Sequence, residues 1–171
     1  NEIWNVRTTN LLIRSQKSLS MVIIKDKIYF NNSSGDISSV DIQTGELLWQ
    51  TPTQSSLVYG ESFFLKTSDI IADKDTIYFS NNKNKFFSLD IRTGTLNWEQ
   101  KVNSNLRPTL IDNYIFTVSL EGYLIIIEKN SGNIIRITDT FRNFKIKTRK
   151  KILPTGFIVG KDNIYLTTNH G

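Results

Sequence analysis

The sequence predicts an all-β fold assembled from repeated four-stranded units, and three observations carry that prediction. A nine-residue stretch, DIRTGTLNW at 90–98, occurs earlier as DIQTGELLW at 41–49 and again, diverged, as EKNSGNIIR at 128–136. Upstream of each copy lies an aromatic run: IYFNN at 28–32, IYFSN at 77–81 and IFTVS at 115–119. The interval from its ring (Tyr29, Tyr78, Phe116) to the turn acid (Asp41, Asp90, Glu128) is 12 residues every time. Strand-favouring Ile, Phe, Tyr and Val fill the apolar positions, and helical periodicity is hard to find.

Each unit reads as four strands joined by three turns. The first strand is MVII at 21–24, DIIA at 69–72 and TLI at 109–111; the aromatic run is the second. A turn follows, SSGD at 33–36, NNKNK at 81–85 and LEG at 120–122, and the third strand ends on the acid. In the last turn Gly45, Gly94 or Gly132 supplies the positive φ that a bulged hairpin demands, and the acid before it is placed to accept turn amides. Four residues after the Gly come Trp49 and Trp98, whose fixed position suggests a ring wedged between neighbouring units. From Gly to Gly the period is 49 and then 38 residues. A repeat of about 40 to 50 residues with four short strands is the signature of a β-propeller blade. The variation falls in the connections, where insertions are tolerated.

Trp4 matches Trp49 and Trp98, so residues 1–6 read as the last strand of a blade. Whole blades follow at about 18–51, 69–101 and 102–139, and residues 154–171 read as the first half of another. The expectation is a partial propeller of about three whole blades and two partial ones, an internal segment of a longer protein. The connection at 7–17 is polar apart from Leu11, Leu12 and Ile13. In ISSVDI at 37–42, small Ser38 and Ser39 suit a crowded strand near a propeller axis. Pro52 closes the first blade because it cannot continue a ladder. The connection at 53–68 contains SLVYGESFFLK, with Phe63, Phe64 and Leu65, and reads either as a loop covering a blade edge or as a partner-binding loop. The run YLIII at 123–127 is apolar on both faces, which predicts burial on both sides. In the third copy Arg136 stands at the tryptophan position.

The chemistry-bearing residues are few. Absence of Cys excludes disulfides and thiolate zinc sites. His170 is the sole histidine, so an imidazole-based triad or metal site has nothing to build on. Asp41 and Asp90 are explained by their repeat position rather than by acid–base work. No run approaches the roughly 18 apolar residues of a membrane span. No catalytic, cofactor-binding or metal-ligating residue is assigned. Two features are candidates for partner contact. Arg107, beside Pro108, presents a guanidinium to a carboxylate partner or else is a solvated rim charge. In TFRNFKIKTRKKIL at 140–153, alternation on a strand would set Phe144, Ile146, Ile152 and Leu153 apart from Lys145, Lys147, Arg149, Lys150 and Lys151. That ridge suits anionic lipid, nucleic acid or an acidic protein face, or else its lysines only block edge pairing. The net charge of +5 is modest for a nucleic-acid binder.

The pattern of apolar-aromatic-aromatic strand, turn, and apolar-Asp-x-x-Thr-Gly-x-x-x-Trp resembles the pyrroloquinoline-quinone-type propeller repeat. It matches well at 28–49 and 77–98, loosely at 115–136, and partly at Trp4 and 164–171. The resemblance implies a parent of seven or eight blades. In quinoprotein dehydrogenases this repeat surrounds a quinone, a calcium ion and often a vicinal disulfide, whereas here Cys is lacking and no calcium-ligating or catalytic Asp can be matched. The short blades are more similar to the BamB-type lipoproteins of outer-membrane protein assembly. That resemblance implies a non-catalytic, periplasmic scaffold without cofactor, bound to a barrel-assembly protein and reaching the outer membrane through an upstream lipid anchor, with no nucleic-acid partner. The family's Leu-x-Leu-Arg contact loop is not carried over, since Asn105-Leu106-Arg107 shares only its final pair. A fragment of a quinone-dependent dehydrogenase and a propeller sensor or ligand-binding ectodomain remain open alternatives.

Overall fold

The computed structural model describes residues 3–6, 19–32, 35–53 and 65–170. The first meander comprises β1 (Met21–Ile24), β2 (Lys27–Asn31), β3 (Ile37–Asp41) and β4 (Leu47–Thr51). The second holds β5 (Ile71–Ala72), β6 (Thr76–Asn81), β7 (Lys85–Asp90) and β8 (Leu96–Gln100). The third holds β9 (Thr109–Ile111), β10 (Tyr114–Val118), β11 (Tyr123–Glu128) and β12 (Ile134–Asp139). A final pair is β13 (Pro154–Val159) with β14 (Ile164–Thr168). All neighbours are antiparallel and follow chain order, because turns this short leave no room for a crossover. These are the blades of a partial β-propeller, as the repeat predicts. The expected runs at 7–17, half of SSGD and most of SLVYGESFFLK lie outside the described residues.

The Thr-Gly turn shows why its residues recur. Asp90 Oδ1 accepts the amides of Arg92 at 3.0 Å and Thr93 at 2.8 Å, and the Gly94 amide donates to the Asp90 carbonyl at 2.9 Å. Gly94 sits at φ +72°, in the left-handed region, and a bulge between Ser88 and Leu89 carries the extra residue. Asp41 builds the same turn. Glu128, one methylene longer, uses both oxygens, on Asn130 at 3.2 Å and Ser131 at 2.7 Å.

Each indole docks on the turn of the next blade. Trp4 Nε1 donates to the Ile42 carbonyl at 3.0 Å, Trp49 Nε1 to Ile91 at 3.3 Å, and Trp98 Nε1 to Lys129 at 2.9 Å. The ring lies flat against the turn glycine: a Cβ on Gly45 would come within 2.6 Å of Trp4, and one on Gly132 within 2.6 Å of Trp98. The inferred wedge is therefore present, and the glycine is needed for space as well as for its φ. The opposite end of the blades is tied separately, by Asn31 Nδ2 to Thr67 Oγ1 at 2.6 Å and by Ser104 N to the Asn81 carbonyl at 3.3 Å.

One sequence expectation gains a physical reason and another needs correction. Ser38 and Ser39 are fully buried in β3, between β2 and β4. Tyr29, Ser39 and Trp49 are successive cross-strand partners, and the small serine lets the two rings approach to 5.9 Å. Tyr78, Ser88 and Trp98 repeat this, with rings 6.1 Å apart. In β11 only one face is deeply buried. Ile125 and Ile127 join the core formed with Ile71, Tyr78, Phe86 and Val102. Leu124 and Ile126 stay half-buried, because the neighbour on that side contributes two strands rather than four.

Replacing Trp98 by Ala removes a half-buried ring and its hydrogen bond, and is expected to cost about 2–4 kcal/mol in denaturant unfolding, somewhat under the range for a fully buried indole. Trp98→Phe keeps most of the packing and should cost about 1 kcal/mol for the lost bond. Gly94→Ala meets both strained φ and the Trp49 ring, so it should cost more than the roughly 1 kcal/mol of an exposed glycine substitution.

Candidate functional site

The carboxylates of the repeat are committed to turns. Amides of Thr44 and Gln43 hold Asp41 below the ordinary aspartate range. The Thr93 hydroxyl and amide do the same for Asp90, and Ser131 for Glu128. Acceptors stabilised as anions are poor proton donors or bases near neutrality. Burial pushes the Tyr78 phenol up to about 12, and its ring belongs to the core between the second and third blades. Among the described residues no three His, Cys, Asp or Glu side chains gather as a metal site.

Surfaces offer more. Exposed Arg107, just before β9, shares a hollow of about 450 Å³ with Leu19, Met21 and Asp69, where the first strands of three blades begin. A second hollow of about 600 Å³ lies among Val118, Leu124, Phe141, Ile152, Ile164 and Leu166. At the equivalent place in the junction of the first two blades, Phe87 and Leu89 of a third strand join Ile37 and Phe79 in one core. The hollow is thus a stretch of inter-blade core beside a two-stranded sheet, and it explains itself without a ligand.

The basic stretch is not the strand that its alternation suggests. Residues 146–149 form a single helical turn, α1 (Ile146–Arg149), closed by the Arg149 amide on the Lys145 carbonyl at 3.0 Å. Alternation makes a strand only where a ladder partner exists, and among the described residues no strand pairs with this segment. Arg149 is not free: its guanidinium bonds Asp139 at 2.9 Å. Lys145, Lys147, Lys150 and Lys151 are exposed, and so is Arg142. The sequence reading did not single out Arg142, nor Asp139 as an arginine partner; ten intervening residues carry no periodic signal for that pairing. His170 is exposed at the end of the final sheet.

The family model for outer membrane protein assembly factor BamB matches residues 1–138. The chain belongs to this family. The BamB match takes in all three tryptophan junctions and ends before the basic stretch. Among curated proteins nothing matches the sequence. Among solved structures, BamB from Moraxella catarrhalis is 24% identical with a TM-score of 0.55, covering 70% of this chain and 39% of its own. The chain therefore spans well under half the length of that BamB. The computationally designed Ika4 protein is 13% identical with a TM-score of 0.67, covering 92% of this chain and 89% of its own. Quinohemoprotein alcohol dehydrogenase from Comamonas testosteroni is 16% identical with a TM-score of 0.60, covering 77% of this chain and 23% of its own. At such identities these likenesses speak for the propeller fold alone.

The depressed turn carboxylates have a pH consequence. Their folded values lie below the ordinary 3.8 of Asp and 4.5 of Glu. The stability they contribute is complete above the unfolded values and is lost as pH falls through the folded ones. The thermal midpoint should therefore drop below about pH 4, and the drop should be shallower in the Asp41→Asn/Asp90→Asn variant, which cannot titrate there.

Proposed function

We propose that the protein is a non-catalytic β-propeller scaffold that docks other proteins during outer-membrane β-barrel assembly, on the periplasmic side of that membrane. The reading rests on one observation, the BamB family match over residues 1–138. The site is consistent with this: the recurring carboxylates Asp41, Asp90 and Glu128 are held on turn amides, and loops carried on a rigid array suit recognition. The contact we assign is the hollow around Arg107. Its guanidinium is exposed, no ion pair engages it among the described residues, and apolar Leu19 and Met21 lie beside it. A carboxylate-bearing loop of a partner would meet both a charge and an apolar seat.

Affinity capture with the full-length protein from detergent-solubilised envelopes, read by mass spectrometry, is expected to recover the barrel-assembly subunit. Arg107→Glu should weaken that capture roughly tenfold, equivalent to about 1.4 kcal/mol. Tight quinone binding with dye-linked alcohol oxidation by the full-length protein would overturn the reading in favour of a dehydrogenase.

A further inference from the structure

We propose that the loop at 140–153 is a membrane-surface contact, in which Arg142, Lys145, Lys147, Lys150 and Lys151 take the headgroups of anionic phospholipids while Phe144 and Ile146 enter the edge of the acyl layer. The loop lies beyond the residues matched to the BamB family, and the proposal stands independently of the assembly role.

Charge is the first observation. The loop holds six Lys and Arg and no Asp or Glu, against a formal net charge of +5 for the whole chain, so the remainder of the chain sums to −1. The basicity of this protein is therefore local rather than general. Only Arg149 is neutralised, by Asp139, which lies outside the loop. Among the described residues no ion pair engages the other five cations, all of them exposed.

Apolar exposure at the same place is the second. Ile146 is 75% exposed, Leu153 52% and Phe144 49%. Scattered exposed apolar groups are ordinary, but here Ile146 lies between Lys145 and Lys147 on one helical turn. Phosphates of a nucleic acid would satisfy the lysines and leave the isoleucine in water. A bilayer interface satisfies both, because anionic headgroups lie directly above hydrocarbon.

The third observation is that the loop is held ready. Phe141 is buried against Gly122, Thr140 Oγ1 donates to the Gly122 carbonyl at 2.6 Å, and Asp139 accepts both the Phe141 amide and the Arg149 guanidinium. Ile152 is buried at the far end. Anchoring at both ends means that little ordering entropy opposes binding. Each cation held at an anionic surface raises affinity by about fivefold.

The test is flotation of the full-length protein, freed of any attached lipid, with vesicles of phosphatidylcholine alone or with about 30% phosphatidylglycerol, a content that gives a strongly negative surface. We expect binding to the anionic vesicles, little to the neutral ones, and at least a tenfold loss between about 50 and 300 mM NaCl. Lys145→Gln/Lys147→Gln/Lys150→Gln/Lys151→Gln should lower affinity by about six-hundredfold on that per-cation factor, and Ile146→Ser several-fold at unchanged charge and unchanged unfolding midpoint. No anionic binding, equal binding to neutral vesicles, or an unaltered affinity in Ile146→Ser/Phe144→Ser would each overturn the proposal, as would capture of an acidic protein or nucleic acid by this loop without vesicle binding. The salt series on the unaltered protein decides the question even if a variant folds poorly.

Discussion

The hydrogen bond from each indole to a backbone carbonyl in the next blade is the constraint on which the rest of the structure depends. A four-stranded meander has two faces and two open edges, and a repeat unit cannot bury its apolar faces alone. Packing blade against blade buries the faces, but apolar contact by itself leaves the angle between sheets free. A rigid ring with a polar handle aimed at one carbonyl removes that freedom. Trp4, Trp49 and Trp98 do so at Ile42, Ile91 and Lys129. The other recurring features of the repeat serve the same contact. The turn acid shapes the loop that presents the carbonyl, the glycine clears space for the ring, and Ser39 or Ser88 lets it settle beside a tyrosine.

The third blade departs from this scheme in a connected way. Its cross-strand triplet is Phe116, Ile126 and Arg136 in place of tyrosine, serine and tryptophan. A branched side chain now fills the space that a serine left open, and a guanidinium stands where an indole would lie. β12 also exposes Ile135 and Ile137 by more than half. The connection after the blade folds back on it, with Phe141 over Gly122 and Arg149 on Asp139.

The proposed recognition role draws on what the repeat leaves unused. The turn carboxylates accept turn amides and the Tyr78 ring is part of an inter-blade core. What remains variable are connections carried on a stiff array, the arrangement that suits recognition. Arg107 and the basic loop occupy two such connections, at opposite ends of the third blade's sequence.

Much of the fold was legible in the residues because its determinants are local. A strand, a bulged turn and a ring at fixed spacing each depend on neighbours within about a dozen positions, and a repeat displays them several times over. The candidate surface was legible only as composition: Arg107 and the five basic positions from Lys145 to Lys151 could be named, but not their state. That Arg149 is paired while the four lysines around it have no ion-pair partner among the described residues, and that the segment coils rather than extends, depends on where Asp139 lies and on the lack of a neighbouring strand among those residues. By itself the sequence determined the period, the turns and the location of the wedges. Which carbonyl each indole meets, some 30 to 40 residues away, and why a serine must lie beside it, were decided by the packing of one sheet on the next, because contacts between blades have no expression in the spacing within one.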